Sequence, residues 1–167
     1  MLPFLCIDGA TRLGWALRRQ ETVEPRSGVV RIAEIGARLG RFGLKANEWL
    51  SDFLAVTPVA KIYYEVPILG GHDNADTALK LYGLACLVET IAEIRGIPVE
   101  RMNNQTVKRF FAGTGRAKDV DMIRACHARG WNPSDDNEAD ALGMLCLAEH
   151  QLGIRRDHGR LFTGTAA

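Results

Sequence analysis

The stretch DDNEADALGMLCLAEH, residues 135–150, constrains this chain more than any other. Apart from its acidic residues it is largely Ala, Leu, Met and Cys, and it reads as a helix. Yet Asp135, Asp136, Glu138 and Asp140 crowd its first turns. Carboxylates at a helix start complement the helix dipole, and Asp caps free backbone N–H groups, which accounts for Asp135 and Asp136. Glu138 lines up with Glu149, and that line reads as a solvent-facing edge. Asp140 is different. It stacks with Gly143, Met144 and Leu147, so it points toward the core or a cleft beside it. A carboxylate there is costly unless a cation meets it. Asp136 and Asn137, four and three residues earlier, reach the same face. Oxygen ligands on one side of a helix start predict a divalent-metal site, provided other carboxylates converge on it.

At 167 residues the chain is long enough for one domain with a real core and too short for two ordinary ones. Cys6, Cys86, Cys126 and Cys146 form no C-x-x-C pair and sit among apolar residues, so all four read as reduced core thiols. MLPFLCID has no basic leader followed by a long apolar run, and no stretch is long enough to span a bilayer. The expected compartment is the cytoplasm. A net charge of +1 conceals two basic regions. Residues 12–45 hold eight Lys or Arg against three Glu, and residues 101–129 hold seven against Asp119 and Asp121. Such patches around a carboxylate cluster suit a polyanion approaching a metal, although an ordinary charged surface has the same composition.

Along the chain, PFLCID predicts a first strand ending at Asp8, and GWALRR a second, paired with it as a hairpin through Gly9. SGVVRIA, AKIYYEVP and IPVERM predict three more strands. Helical spacing covers residues 35–56, ADTALKLYGLACLVETIAEIRG, NQTVKRFF, AKDVDMIRACHARG and the last helix. The order is that of an α/β domain with a mixed sheet covered by helices, here residues 1–152, followed by a basic tail at 153–167. Leu81, Leu84, Leu87, Val88 and Ile91 are expected in the core or partly on a dimer face. Trp15, Trp49 and Trp131 are expected as core or interface fillers.

Two further carboxylates stand out. Asp8 ends the first strand and Glu65 ends the fourth, where functional groups of open α/β sheets emerge. If those strands are neighbours, Asp8, Glu65 and the start of the last helix meet. Hard oxygen ligands favour Mg²⁺ or Mn²⁺ over Zn²⁺. Two such ions bridged by carboxylates serve phosphodiester hydrolysis, one activating water and the other stabilising the leaving 3′ oxygen.

IDGATRLGWAL, YYEVP, NADTALKL, NNQTVKRFFAGTGRAK and NEADALGM, in that order, resemble the RuvC-type Holliday-junction resolvases of the ribonuclease H-like superfamily, in a phage or prophage form. The resemblance implies a five-stranded mixed sheet flanked by helices. It also implies a homodimer that cuts branched DNA, above all four-way junctions, with two Mg²⁺ per active site, Mn²⁺ substituting. Products would carry 5′ phosphate and 3′ hydroxyl ends. Carried over by position, Asp8, Glu65 and Asp140 match catalytic metal ligands. The family's fourth acidic position falls on Asn137, so Asp136, one residue earlier, is expected to supply the missing carboxylate, with Asn137 as a neutral ligand in reserve. Lys108 matches a lysine that approaches the scissile phosphate and Lys118 lies near a second. Arg109 and Arg116 are expected on the DNA backbone. Where some members carry a stacking aromatic, this chain has Ile68 and Leu69. An aliphatic wedge still opens a base step, but broader cutting of branched DNA is then expected.

Two rivals differ in class. DGAT resembles the first phosphate loop of actin-like and sugar-kinase ATPases, but those close a second copy of the fold around ATP, and no nucleotide cofactor is expected here. A non-cleaving junction-binding or scaffold protein of the same fold would arise by loss of a carboxylate, the possibility that Asn137 raises.

Overall fold

The computed structural model describes residues 3–9, 11–18, 24–34, 36–67 and 74–154. Five strands, β1 (Phe4–Asp8), β2 (Arg12–Arg18), β3 (Arg26–Arg31), β4 (Lys61–Glu65) and β5 (Val99–Met102), form one sheet in the order β3-β2-β1-β4-β5. The first three make an antiparallel meander, while β4 and β5 extend it in parallel with β1. Helices α1 (Leu39–Val56) and α2 (Ala75–Arg95) are joined by α3 (Asn104–Ala112), α4 (Asp119–His127) and α5 (Asp136–Gln151). Among the described residues no helix is long and apolar enough to cross a membrane.

Strand alternation divides the core in two. Leu5, Ile7, Ile62 and Tyr64 face Phe42 and Leu50 of α1 and Leu84 and Val88 of α2. Phe4, Cys6, Ala16 and Tyr63 face the other way, onto α5 and the α3 and α4 side chains beyond it. Asp8 continues the parity of Phe4 and Cys6, and Glu65 that of Tyr63. Cys6 lies beside Tyr63 in the parallel β1–β4 pair. Both carboxylates therefore leave the sheet at the same end and on the α5 face.

What lets α5 come so close is the absence of side chains beneath it. Gly14 of β2 stands opposite Asp8. A Cβ there would lie 2.0 Å from the Asn137 carbonyl oxygen and 2.9 Å from the Glu138 nitrogen. Across the helix, a Cβ on Gly143 would meet Met122 Cε at 2.9 Å and Val107 Cγ1 at 3.1 Å, so a second glycine admits α3 and α4.

Sandwiched in this way, α5 is buried from Glu138 to Glu149 apart from the half-buried Asp140, and the expected Glu138–Glu149 solvent-facing edge is corrected: both residues are buried. A buried carboxylate needs partners. Glu149 pairs with Arg18 at 3.1 Å, and Glu138 is met by serine donors. Arg18 is thereby withdrawn from the basic surface to which its charge was assigned. Cys86 is a second correction, being exposed on α2, whereas Cys6, Cys126 and Cys146 are buried free thiols. The first helix begins at Leu39 rather than near residue 35, because Gly36 takes a left-handed φ of 81° and Arg38 is still extended. Trp15 packs edge-on against Phe53, and Trp131 stacks with Phe111, both as core fillers.

The two glycines should respond differently to a methyl group. Gly143→Ala pushes on flexible side chains and is expected to cost about 1–3 kcal/mol. Gly14→Ala meets backbone, so thermal unfolding should show the larger loss for Gly14→Ala.

Candidate metal centre

Asp8, Glu65 and Asp140 each place a carboxylate oxygen within 4.8 Å of the other two. Two come from adjacent parallel strand ends. The third comes from the second turn of α5, held down over Gly14. Lys108 of α3 faces them, its Nζ 3.7 Å from Asp140 Oδ2. One ammonium against three carboxylates leaves an excess of negative charge when all are ionised. Among the described residues, Asp140 Oδ1 is buried with no hydrogen-bond partner.

The electrostatics follow from this crowding. Burial pushes the Asp8 carboxyl well above its usual range, with Glu65, Asp140 and Asp136 adding repulsion. Asp140 is pushed up to about 7, first by burial. Lys108 pulls the other way without cancelling it, and Glu65, Asp119 and Asp136 add to the rise. Asp136 therefore acts on both carboxyls by charge, though its oxygens are not among the three that converge. Helix capping does not engage it: the N-cap is Asp135, whose side chain accepts the Glu138 N–H and pairs with Arg12 at 2.9 Å.

Asn104 was not singled out in the sequence. Its Nδ2 donates to Glu65 Oε1 at 2.8 Å. The β4–β5 register sets Glu65 beside Met102, so the residue two positions later, at the start of α3, comes alongside the carboxylate. Only the strand register reveals this contact. The preceding Asn103 caps α3 by accepting the Thr106 N–H.

Beside Glu65 a cleft of about 390 Å³ opens between α2 and α3, with Asn104, Lys108 and Arg116 also along it and Ile7, Tyr64 and Leu84 as apolar wall. Arg109 and Arg116, with Gln105 and Thr114, line a second depression beside it. Lys118 is exposed at the start of α4, its backbone N–H held by Asp121. Ile68 and Leu69 lie outside the described residues.

A mixed sheet in this order, with carboxylates at the ends of β1 and β4 and on the last helix, places the chain among ribonuclease H-like α/β proteins. Solved structures agree on the fold. Thermus thermophilus RuvC superposes with a TM-score of 0.66 at 16% identity, covering 93% of this chain and 99% of that one. The same protein in complex with a Holliday junction substrate gives 0.71 at 19% identity, with the same coverage. The yeast mitochondrial Holliday junction resolvase Ydc2 gives 0.64 at 12% identity, covering 92% and 81%. No family model matches the sequence. Among curated proteins, the crossover junction endodeoxyribonuclease RuvC of Halorhodospira halophila is 33% identical over 125 residues, 72% of this chain and 71% of that protein. The chain belongs to the RuvC family.

The raised Asp140 carboxyl has a measurable consequence without metal. Its unfolded value is about 3.9, and its folded value about 7. The folded state therefore binds the extra proton between these limits, and the stabilisation this gives is lost as pH rises through about 7. In EDTA, the melting temperature of wild type relative to Asp140→Asn should fall between about pH 4 and 8. Mg²⁺ should raise the wild-type value more at pH 8 than at pH 5. A flat difference would contradict the assignment.

Proposed function

We propose that this protein is a junction-resolving endodeoxyribonuclease that hydrolyses phosphodiesters in four-way and other branched DNA with Mg²⁺, Mn²⁺ substituting. The observation that carries the reading is the convergence of Asp8, Glu65 and Asp140, with Glu65 and Lys108 lining an adjoining cleft, in a chain of the RuvC family. The donor set fits hard divalent cations. Every converging ligand atom is a carboxylate oxygen, and Asp140 Oδ1 is a buried acceptor with no hydrogen-bond partner among the described residues. Asp8, Glu65 and Asp140 would hold two ions, with Asp136 as fourth carboxylate and Asn137 in reserve. Bound there, the ions supply Lewis acidity for activating water and for stabilising the leaving 3′ oxygen.

The chain's own residues do the rest. Lys108, beside Asp140, stabilises charge on the non-bridging oxygens of the scissile phosphate. Asn104 fixes the orientation of Glu65. Arg109 and Arg116 grip flanking phosphates along the cleft, Lys118 extends that surface, and Ile68 is the wedge at the junction. Cutting two opposed strands calls for a homodimer, and α2 offers exposed Leu79, Tyr82 and Cys86 for its face. The setting proposed is the bacterial cytoplasm, in a prophage or phage context.

A labelled immobile four-way junction in Mg²⁺ tests this. Wild type should give paired symmetric nicks, and Asp8→Asn, Glu65→Gln and Asp140→Asn should give none. Lys108→Ala should be slower by about 10²–10³-fold, and Asn104→Ala by about 10–100-fold. Asp136→Asn should abolish cleavage if it is the fourth ligand. Tight junction binding by wild type without cleavage, in Mg²⁺ or Mn²⁺, would leave the non-cutting junction-binding protein.

A further inference from the structure

We propose that Glu138 is a positioning residue for the metal centre, anchoring the first turn of α5 so that Asp136 and Asp140 stand in register with Asp8 and Glu65. The inference rests on the metal reading above and adds a residue to which that reading gives no role.

Glu138 lies between the two α5 carboxylates in sequence, and its side chain leaves the helix toward β3 and the preceding loop. Oε1 accepts the Ser27 hydroxyl at 2.6 Å. Oε2 accepts both the Ser134 hydroxyl, at 2.6 Å, and the Ser134 backbone N–H, at 2.8 Å. The Glu138 N–H donates to Asp135 Oδ1 at 3.0 Å, and the other oxygen of Asp135 takes Arg12 of β2. One residue thus ties the helix start to β3, to the loop before it and, through its cap, to β2.

The anchoring is directional. Ser27 is paired with Ala16 of β2 and so shares the sheet face of Gly14 and Asp8. Pulling Glu138 toward Ser27 presses the first turn of α5 onto the glycine gap, where Asn137 and Glu138 backbone atoms occupy the space of a Cβ. Asp136 opens that turn and Asp140 follows one turn later. The rest of α5 does not need this hold. Leu142, Met144 and Leu145 bury it between the sheet and α3 and α4. Removing the carboxylate strands two serine hydroxyls and a backbone N–H, and frees only the ligand-bearing end. A misplacement of about 1 Å at a reacting centre can cost about 10²-fold.

Calorimetric titration of the full chain with Mn²⁺, for wild type, Glu138→Ala, Glu138→Gln and Ser27→Ala, tests this. Glu138→Ala should bind Mn²⁺ about 10–100-fold more weakly, with a matching rise in the Mg²⁺ needed for half-maximal junction cleavage. Ser27→Ala should be intermediate. Glu138→Gln keeps an acceptor for the Ser134 N–H and should recover most of the affinity. A purely structural role would lower the melting temperature and the active fraction while leaving Mn²⁺ affinity unchanged, and that result overturns the proposal. Should Glu138→Ala fail to fold, wild-type affinity in Ser27→Ala overturns it equally. Wild type that binds no Mn²⁺ would instead remove the metal reading itself, and this inference with it.

Discussion

Three carboxylates held within 4.8 Å of one another repel, and the architecture of this protein supplies the framework that keeps them together. Left to themselves they would separate or take up protons; burial first, and mutual repulsion after it, raise the Asp8 and Asp140 carboxyls, and the raised values express that strain. Lys108 relieves only part of it. The folded state therefore carries an unfavourable centre that a divalent cation would relieve. A site that binds metal well is, in its absence, a cost borne by the surrounding core.

That core is organised to bear it. The parallel β1–β4 pair fixes two of the carboxylates on adjacent strands, where neither can retreat without breaking the ladder. The third arrives on a helix whose approach is set by missing side chains at Gly14 and Gly143. Close packing against Met122, Val107 and Phe111 holds the helix body. The serine contacts of Glu138 and the Arg12–Asp135 pair hold its first turn. The body of the helix and its first turn are thus held by different contacts.

Asp8, Glu65 and Asp140 were legible in the sequence because each breaks a local pattern. Two are acidic residues ending apolar strands, and one interrupts an apolar helical stripe. The α/β architecture was legible for the same reason, since strand and helix periodicities rarely conflict here. Glu138 and Glu149 were misread as surface because the projection of a single helix does not reveal that α5 is covered on two sides, and Arg18, counted in the first basic region, is buried against Glu149 for the same reason of packing. Cys86 was misread in the converse way. Its apolar neighbours on α2 implied burial, but that helix covers the sheet with one face and exposes the other. Asn104 depends on strand register, which one sequence does not encode locally. The division of labour between Asp135 as cap and Asp136 as candidate ligand turns on one residue of helix phase.

The most direct test of the central claim is anomalous diffraction from crystals of this protein soaked in Mn²⁺. The account predicts anomalous density between Asp8, Glu65 and Asp140, with two peaks if both ions bind and Asp136 contacting one of them. Density only elsewhere, or none at saturating Mn²⁺ and a pH above about 7, where Asp140 is ionised, would contradict it.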